Sequence, residues 1–389
     1  MSAEMKLFWG DPHIHSTASW RCFEFGNEPD GYDGSPADCY RYARDEAQMD
    51  FAAVTDHDCG LAQNFDMKPQ DWDAICAAAV DYNDSGRFVA FLGFEWSSNG
   101  GHRHVIYSHD DAPILPCSEY VTPADLWAQL EQHDSQALVI PHHIARHGMP
   151  NQWQYHNPKF EPVVEICSIW GCYEFAGNPF ECDPNWAPSD ARGFAREGLG
   201  RGLRFGFIGG GDVHDGRAGG HVLGWDISDL KERWANNQQL KRNPLGCGIA
   251  GVYATELTRE ALLEGFRARR TLAATGLKTA IKMDVDGLFI GAQAQATEQQ
   301  CRRRVITVGA EANCPLRKIE IVRNGLTLTP YPCSGNSDKV EYVDEQPLTE
   351  VVPQISADGE AASVYYYVRV TREDFRMAWT SPVWLEFRL

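Results

Sequence analysis

The sequence predicts an α/β fold followed by an all-β segment, and two patterns along its 389 residues support this. From Met1 to about Leu277, short apolar runs alternate with helical stretches, as in parallel α/β folds. Such repeated strand–helix units favour a closed or nearly closed barrel. After Leu277, apolar and polar residues alternate, which predicts antiparallel strands. We therefore expect a barrel over residues 1–277 and a smaller antiparallel β-sandwich domain over residues 278–389.

Eight strands and four helices are predicted before Leu277. Several of the helices open with Pro or follow a Ser, Thr or Asp cap. The strands are Lys6 to Trp9, Asp50 to Thr55, Arg87 to Phe94, His104 to Tyr107, Ala137 to Pro141, Val163 to Ser168, Phe205 to Gly209 and Ile249 to Ala254. The helices are Pro36 to Gln48, Pro69 to Asp84, Pro123 to His133 and Arg259 to Arg270.

Six alternating segments follow Leu277, and Asn324-Gly325 between two of them is a strong hairpin signal. The strands are Ala280 to Val285, Arg304 to Gly309, Lys318 to Val322, Val340 to Val343, Ser363 to Thr371 and Pro382 to Phe387. This part of the chain contains no histidine and no catalytic cluster. We expect it to serve stability, assembly or covering of the barrel mouth.

Two insertions interrupt the α/β pattern. The first, about 146–204, is rich in Trp, Tyr and Phe. Long loops of this kind commonly form lids or substrate walls, but this one could equally pack on the C-terminal domain as interdomain core. The second, Asp226 to Gly246, has mixed charge and predicts a solvated helix.

Composition excludes several classes of partner. Hydrophobic residues make up 43% and charged residues 23%, which is ordinary for a globular protein. The 35 Lys and Arg against 54 Asp and Glu give a formal charge of −19. That charge repels a nucleic-acid backbone or an anionic membrane, so we expect no long nucleic acid as partner. A local basic pocket could still hold a small anion.

The N-terminal residues lack the basic start and apolar core of a signal peptide. No apolar run approaches the roughly 20 residues that span a bilayer. The twelve cysteines are scattered and include no Cys-x-x-Cys pair, so we expect mostly thiols. The sequence thus predicts a cytoplasmic protein without a membrane partner.

Asp11-Pro12-His13-Ile14-His15 is the first candidate for chemistry. Residues i and i+2 of an extended chain point to the same side, so His13 and His15 can share one metal ion. A single pair at this spacing also arises by chance, and buried histidines are more often satisfied by hydrogen bonds. The prediction therefore depends on the rest of the chain.

Polar residues that can ligate metals follow the C-terminal end of nearly every predicted strand. In barrels of parallel strands the loops at these ends meet and form the active site. Each residue alone could be a helix cap or a bystander, but together they predict one site. The residues are His13, His15, Asp56, His57, Glu95, His142, His143, Glu165, Asp212 and His214.

Imidazoles and carboxylates without thiolates suit Zn, Mn or Fe and disfavour Ca and Cu(I). With this many donors, two or more ions can lie close together, bridged by a carboxylate such as Glu95. Paired ions activate a shared water and neutralise an anionic substrate. Phosphoester hydrolysis is the reaction best matched to that arrangement.

These residues resemble the motifs of the PHP family, named for polymerase and histidinol phosphatase domains. The likeness extends to a branch known as a domain of unknown function and spans nearly the whole chain. The PHP motifs are His13-x-His15, Thr55-Asp56-His57, Glu95 in Gly-Phe-Glu-Trp, Pro141-His142 and Asp212-x-His214. The branch features are Gly10-Asp11, His102-Arg103-His104-Val105-Ile106, Leu257-Thr258-Arg259-Glu260, the segment from Arg270 to Gly276, and Thr380-Ser381-Pro382-Val383-Trp384.

The resemblance implies a distorted (β/α)7 TIM-like barrel with two or three divalent metal ions. His102 is chosen over His104 because it matches the branch's His-Arg-x-Val pattern; His104 and His143 then become candidates for contacting substrate. The implied ligands are His13, His15, Glu95 and Asp212 for the first ion, Glu95, His102 and His142 for the second, and His57 and His214 for a third.

The chain departs from the family at Arg21. There the family usually has an acidic residue or histidine that completes the third metal site. Arginine cannot ligate a metal, and its charge repels one. Our hypothesis is that Arg21 pairs with a substrate phosphate or carboxylate by two parallel hydrogen bonds. The alternative is that Arg21 turns outward and Glu24 or Asp56 completes the site.

The resulting expectation is a metal-dependent hydrolase, specifically a phosphoric ester hydrolase that attacks a small phosphorylated substrate with a metal-bound hydroxide. Arg21 would stabilise charge, and Asp56, His104 or His214 would protonate the leaving group. The residues expected to bind substrate are Arg21, His143, Arg146 and Arg217.

Two rival functions stay open. The first is hydrolysis of an amide, lactone or other carbonyl compound, because the same chemistry attacks carbon. It gains if Arg21, Arg103, Arg146 and Arg217 all face away from the pocket. The second is a non-catalytic accessory module, which the intact ligand set disfavours.

Overall fold

A computed structural model describes residues 4–19, 33–58, 66–98, 100–146, 153–178, 180–181, 189–219, 247–351, 353–355 and 362–387. Arg21, Glu24 and the predicted helix at 226–246 lie outside the described residues.

The protein has a mixed α/β architecture built on a large sheet. Its N-terminal strands lie in the order β11-β10-β1-β2-β4-β5-β6, and β3 pairs with β4. The strands are β1 Lys6–Ile14, β2 Phe51–Val54, β3 His57–Asp58, β4 Val89–Ser98, β5 Gly101–Ile106, β6 Leu138–His142, β10 Gly248–Ala254 and β11 Thr271–Thr275.

Only part of this sheet is parallel, which corrects the prediction of a parallel α/β pattern. Strands β1, β2 and β4 pair in parallel. Strands β4–β5, β5–β6, β1–β10 and β10–β11 pair antiparallel. Only two residues separate β4 from β5, and so short a connection permits a hairpin but no crossover.

A smaller sheet of β7 Val163–Ser168, β8 Gly171–Cys172 and β9 Gly206–Gly209 lies beside the large one. β7 and β9 pair in parallel. β6 packs against β7, and β9 packs against β10 and β11. An isolated parallel bridge from Ile14 to Val213 fixes the loop after β9 to the end of β1.

The predicted helix starts at Pro36, Pro69, Pro123 and Arg259 are confirmed. The Thr122 side chain forms a reciprocal capping box with Asp125. The first predicted helix, Pro36 to Gln48, is an α-helix only as far as Arg41. Tyr42–Glu46 continues it as a π-helix. The helices are α1 Pro36–Arg41, α2 Pro69–Tyr82, α3 Pro123–His133, α4 Ala195–Gly200, α5 Arg259–Arg267 and α6 Glu298–Arg302.

The C-terminal part consists mostly of antiparallel strands, as predicted. One four-stranded sheet has the order β13-β12-β15-β18. The Asn324-Gly325 hairpin between β16 and β17 is confirmed, with φ of 48° and 79° at the two turn residues. The strands are β12 Thr279–Val285, β13 Leu288–Phe289, β14 Gln293–Gln295, β15 Arg304–Ala312, β16 Leu316–Arg323, β17 Leu326–Pro332, β18 Ser337–Asp344, β19 Gln354–Ile355, β20 Ala362–Arg372, β21 Met377–Thr380 and β22 Val383–Phe387.

The large sheet does not stop at residue 277. Strand β21 pairs antiparallel with β11, with Leu272 opposite Thr380 and Ala274 opposite Ala378. β21 also pairs with β20, so the C-terminal strands extend the N-terminal sheet. Backbone hydrogen bonds therefore join the two halves of the chain.

None of the helices that the structure describes is long and apolar enough to cross a bilayer.

Candidate metal centre

Four buried donor atoms from three segments of the chain face one another. They are the Nε2 atoms of His13 and His15, Oε2 of Glu95 and Oδ1 of Asp212. The distances to Glu95 and Asp212 are 3.4 and 3.5 Å from His13, and 3.3 and 3.4 Å from His15. Ligands held about 2.0–2.1 Å from a tetrahedral ion lie at such separations from one another. Within the described chain, none of the four atoms has a hydrogen-bond partner, so the set fits a divalent ion.

The other oxygen of Glu95 faces a second set of imidazoles. Oε1 lies 2.7 Å from Nδ1 of His102 and 3.3 Å from Nε2 of His142. The Ser97 hydroxyl donates to the same oxygen at 2.6 Å. One carboxylate thus lies between two groups of donors, as a bridging ligand would.

A third group lies on the side of His15. Ring nitrogens of His15, His57 and His214 lie within 4.8 Å of one another, and the Nε2 atoms of His57 and His214 are 3.2 Å apart. Nδ1 of His57 also lies 3.1 Å from Oε2 of Glu95. The structure therefore brings all eight predicted ligands together.

Backbone hydrogen bonds position this cluster. Asp212 N donates to the His13 carbonyl at 2.9 Å, and His15 N donates to the Val213 carbonyl at 3.0 Å. Asp212 and His143 have positive φ, 52° and 50°, which is uncommon outside glycine and concentrates at functional sites. Nε2 of His143 lies 2.8 Å from Oδ2 of Asp212, the oxygen that faces away from His13 and His15.

Asp11 is a residue to which the sequence analysis gave no role. Its buried carboxylate accepts from the backbone N–H groups of His13 at 3.0 Å, Gly211 at 2.8 Å and Gly219 at 2.8 Å. It therefore ties β1 to the loop that carries Asp212. The signals in the sequence were the Gly10-Asp11 pair among the branch features and the position of an acid in an apolar strand, one residue before Pro.

The charges favour metal binding over protonation. Burial raises the pKa of Glu95 and Asp212, but the facing histidines outweigh it and hold both pKa values well below the ordinary range. Burial lowers the pKa of His143 and His214 to about 3. His15 is the exception, because Asp212 and Glu95 outweigh burial and raise its pKa to about 10. Anionic carboxylates beside mostly neutral imidazoles are the forms that bind metal ions.

Two candidates for proton transfer are fully buried. Both carboxylate oxygens of Asp56 accept from Ser16, at 2.6 Å from its N–H and 2.6 Å from its hydroxyl. The His104 ring lies against His13 and His142, with centroids 3.6 and 4.2 Å apart. These contacts support positioning by Asp56 and packing of His104 beneath the ligand rings.

The arginines differ in where they point. Arg103 is buried and donates from Nε to Glu161 at 2.7 Å, so the idea that it could serve the substrate is wrong. Arg146 is half-buried, with its guanidinium 5.5 Å from the ring centre of Trp170. Arg217 is also half-buried and lies in the loop that follows His214.

The aromatic insertion has residues beside the candidate site and residues that pack on the C-terminal strands, the second as one of its two interpretations predicted. Trp170 lies edge-on to His143 and His214, with ring centroids 5.9 and 6.0 Å away. Trp153 stacks on Phe205 at 5.2 Å. Four residues after Trp170, Glu174 pairs with Arg369 of β20 at 2.8 Å. The insertion therefore contributes to the site and also packs on the C-terminal strands.

The family model "Protein of unknown function (DUF3604)" matches residues 46–176 and 190–315, more than half of the chain. The chain therefore belongs to this family. An uncharacterized protein of Chlamydia pneumoniae is 30% identical over 90% of this chain and 54% of its own length. One from Chlamydia muridarum is 27% identical over 99% of this chain and 59% of its own. The chain thus spans little more than half the length of these relatives.

A two-domain protein of Bacteroides vulgatus, containing a predicted PHP-like metal-dependent phosphoesterase, aligns with a TM-score of 0.44 and 12% identity. The alignment covers 97% of this chain and 96% of that one.

Proposed function

We propose that this DUF3604 protein is a metal-dependent hydrolase that cleaves phosphoric esters of small molecules. The observation that carries the proposal is Glu95, whose two oxygens face two separate groups of buried ring nitrogens. A carboxylate shared in this way suits two ions a few Å apart, the arrangement used for in-line displacement at phosphorus.

In this proposal His13, His15, Glu95 and Asp212 hold the first ion. Glu95, His102 and His142 hold the second, and His57 and His214 contribute to a third. Zn, Mn and Fe match this ligand chemistry. The strands around the site would form a distorted (β/α)7 barrel, with a β-sandwich over residues 278–389.

When bound, the ions would lower the pKa of a water molecule and neutralise charge on the substrate. The chain's own part is to hold the ligands in place. Ser97 fixes one oxygen of Glu95, and His143 fixes the free oxygen of Asp212. Asp56 anchors the turn after His15 through Ser16.

We assign substrate recognition to arginines near the metal cluster. Arg146 on Trp170, together with Arg217, would take up the phosphate and its leaving group. Arg21, which lies outside the described residues, keeps its proposed role in binding the anion.

Hydrolysis of a carbonyl compound is the second candidate, and the burial of Arg103 against Glu161 meets its criterion for one of the four arginines. That ion pair removes one of the four cations on which phosphate recognition could draw.

The deciding experiment is elemental analysis of gently purified protein, followed by chelation and restoration of Mn, Zn or Fe. Turnover is then measured with a phosphomonoester, a phosphodiester, a lactone and an amide. Two or more ions per chain and metal-dependent release of phosphate would support the proposal. Bound metal with turnover of the lactone or amide alone would shift the function to carbonyl hydrolysis.

Two variants control this experiment. His142→Ala removes a proposed ligand and should abolish turnover. His109→Ala removes an exposed histidine outside the cluster and should leave turnover unchanged. Wild-type protein that holds no metal under any of these conditions would overturn the proposal.

A further inference from the structure

Glu165 of β7 lies behind the first donor set. Its Oε2 is 2.9 Å from Nδ1 of His13, and both side chains are fully buried. Nε2, on the other side of the ring, faces Glu95 and Asp212. A carboxylate beside Nδ1 accepts a hydrogen bond from the Nδ1–H group, so the ring proton stays on Nδ1 and the Nε2 lone pair is directed at the ion.

We propose that Glu165 is a positioning residue that fixes the tautomer and orientation of His13 and strengthens it as a metal ligand. This inference rests on the proposed function, since it concerns the same metal site. Glu165 touches the ring nitrogen opposite the one that faces Glu95 and Asp212, so it acts through His13 instead of ligating the first ion itself.

Gly210 makes room for this contact. A Cβ at position 210 would lie 2.1 Å from Oε2 of Glu165 and 3.0 Å from Cβ of His13. The backbone there is held from both sides, because Gly210 N donates to Cys167 O and Gly248 N donates to Gly210 O, each at 3.1 Å. A side chain at this position must therefore displace the Glu165 carboxylate.

The two histidines of the His-x-His pair are supported unequally. Nδ1 of His15 lies 3.3 Å from the Ser19 hydroxyl, a neutral group that also accepts from His57 N at 2.9 Å. Only His13 has a carboxylate behind it. Outer carboxylates of this kind typically change metal affinity by about 10–100-fold. The effect of Glu165 should therefore fall on the first ion.

The test compares Glu165→Gln, Glu165→Ala and Gly210→Ala with the wild type. The Gln side chain keeps an oxygen that can accept from Nδ1 and loses the charge, whereas Ala loses both. Glu320→Gln is the control for removing a buried charge, since Glu320 pairs with Arg369 and Lys318 in the C-terminal sheet. Gly309→Ala is the control for an added Cβ, which there meets nothing within 4 Å.

Zinc affinity is measured by competition with a chromophoric chelator, and ligand geometry by the visible spectrum of the Co²⁺-loaded protein. We expect about tenfold weaker binding of one ion in Glu165→Gln and Gly210→Ala, and about 100-fold in Glu165→Ala. The Co²⁺ spectrum should shift in all three variants. Both controls should match the wild type.

Wild-type affinity and spectrum in Glu165→Gln and Gly210→Ala would overturn the inference, even if Glu165→Ala fails to fold. The experiment distinguishes failure of this inference about Glu165 from failure of the proposed function. Wild-type protein that binds metal without hydrolysing esters, while the Glu165 variants bind it more weakly, would refute the proposed function alone. Wild-type protein without metal would refute both.

Discussion

Glu95 shows how one side chain can set the chemistry of the centre. It is fully buried, and no Lys or Arg pairs with it among the described residues; its partners are histidines and Ser97. Among the described residues only histidines compensate the charge of Glu95, and a carboxylate buried this deeply is costly without compensation. Divalent ions on its two sides would add positive charge there. The folded protein should therefore be more stable with metal than without it.

Glu95→Gln should therefore remove at least one ion per chain and lower metal-dependent turnover by about 100-fold or more, since an amide bridges two ions poorly. Elemental analysis and steady-state kinetics on the same preparation check this. Glu131→Gln, an exposed acid paired with Lys159, is the matched control. Retention of the full metal content by Glu95→Gln would contradict the bridging role.

Asp344 is a buried acid with a purely structural set of partners. Its Oδ2 accepts from Tyr366 at 2.6 Å, Arg323 at 2.7 Å and Arg304 at 2.9 Å. Burial raises the pKa of Asp344, but these hydrogen bonds outweigh it and hold the pKa below its ordinary value.

Asp344→Asn should destabilise the fold by about 3 kcal/mol at pH 7, because two buried guanidinium groups lose their counter-charge. The folded pKa lies below the unfolded one, so this stabilisation is complete above about pH 4. It is lost as the pH falls through the folded pKa. Urea unfolding of both proteins at pH 7, 5 and 3.5 checks this. A difference that stays constant down to pH 3.5 would argue against the ionic origin.

The sequence predicted the ligands but not which residues orient them; Glu165 stood among the candidate ligands, and the structure places it behind His13. His13, His15 and Glu95 stand out because imidazoles and carboxylates are unusual at the ends of apolar strands. Asp11 and Glu165 act through backbone N–H groups and one ring nitrogen, and such contacts leave no spacing pattern. Arg103 was misjudged for a related reason, since its partner Glu161 is 58 residues away along the chain.

The aromatic insertion contacts both the candidate site and the C-terminal strands, through residues only four positions apart. Trp170 contacts the histidines of the site, whereas Glu174 bonds to the side chains of Tyr367, Arg369 and Trp379. On the two sides of Trp170, the backbone N–H of Ile169 donates to Gly211 O and that of Tyr173 donates to Ile166 O. The insertion thus packs on the C-terminal strands within four residues of the candidate site.

Two variants should separate these two sets of contacts. Trp170→Phe should raise KM for a phosphoester about fivefold, a loss of ~1 kcal/mol, because it weakens the ring under Arg146. Glu174→Gln should leave KM unchanged but lower the free energy of unfolding by about 3 kcal/mol, since Arg369 loses a buried partner. Kinetics and urea unfolding of both variants check this. Equal effects of the two changes on KM would mean that the two sets of contacts are not separable.

Strand direction was harder to predict than element position. Proline and capping residues mark helix starts locally, which is why four starts were found. Whether neighbouring strands run parallel depends on the connection between them. The two residues between β4 and β5 were overlooked because β5 was predicted to begin at His104, three residues late.

The molecule as a whole is joined by one continuous sheet. Pairing of β11 with β21 carries hydrogen bonds from the strands around the metal centre into the C-terminal half. β1, which bears His13, pairs with β10 and through it with β11. Disorder at the metal centre should therefore destabilise the whole sheet, and the two halves of the chain should unfold together.

Removing metal should lower the melting temperature of the whole molecule in a single transition. Four acidic side chains, those of Asp11, Glu95, Glu165 and Asp212, are buried close together; burial and the neighbouring carboxylates raise the pKa of Asp11 and Glu165, and bound ions would offset this cost. Ions that bind only the folded state stabilise it by about 4 kcal/mol at a free concentration 1,000 times their dissociation constant. Calorimetry of chelated, untreated and Zn-restored protein measures this.

His142→Ala should show a smaller stabilisation by added Zn, whereas His109→Ala should respond as the wild type does. If two transitions appear and only the lower one moves with Zn, the halves unfold separately despite their shared sheet. If neither moves, the buried carboxylates are not compensated by metal. A single transition that rises with Zn requires both bound ions and contacts that couple the two halves, such as the β11–β21 pairing and the bonds of Glu174 to the C-terminal strands.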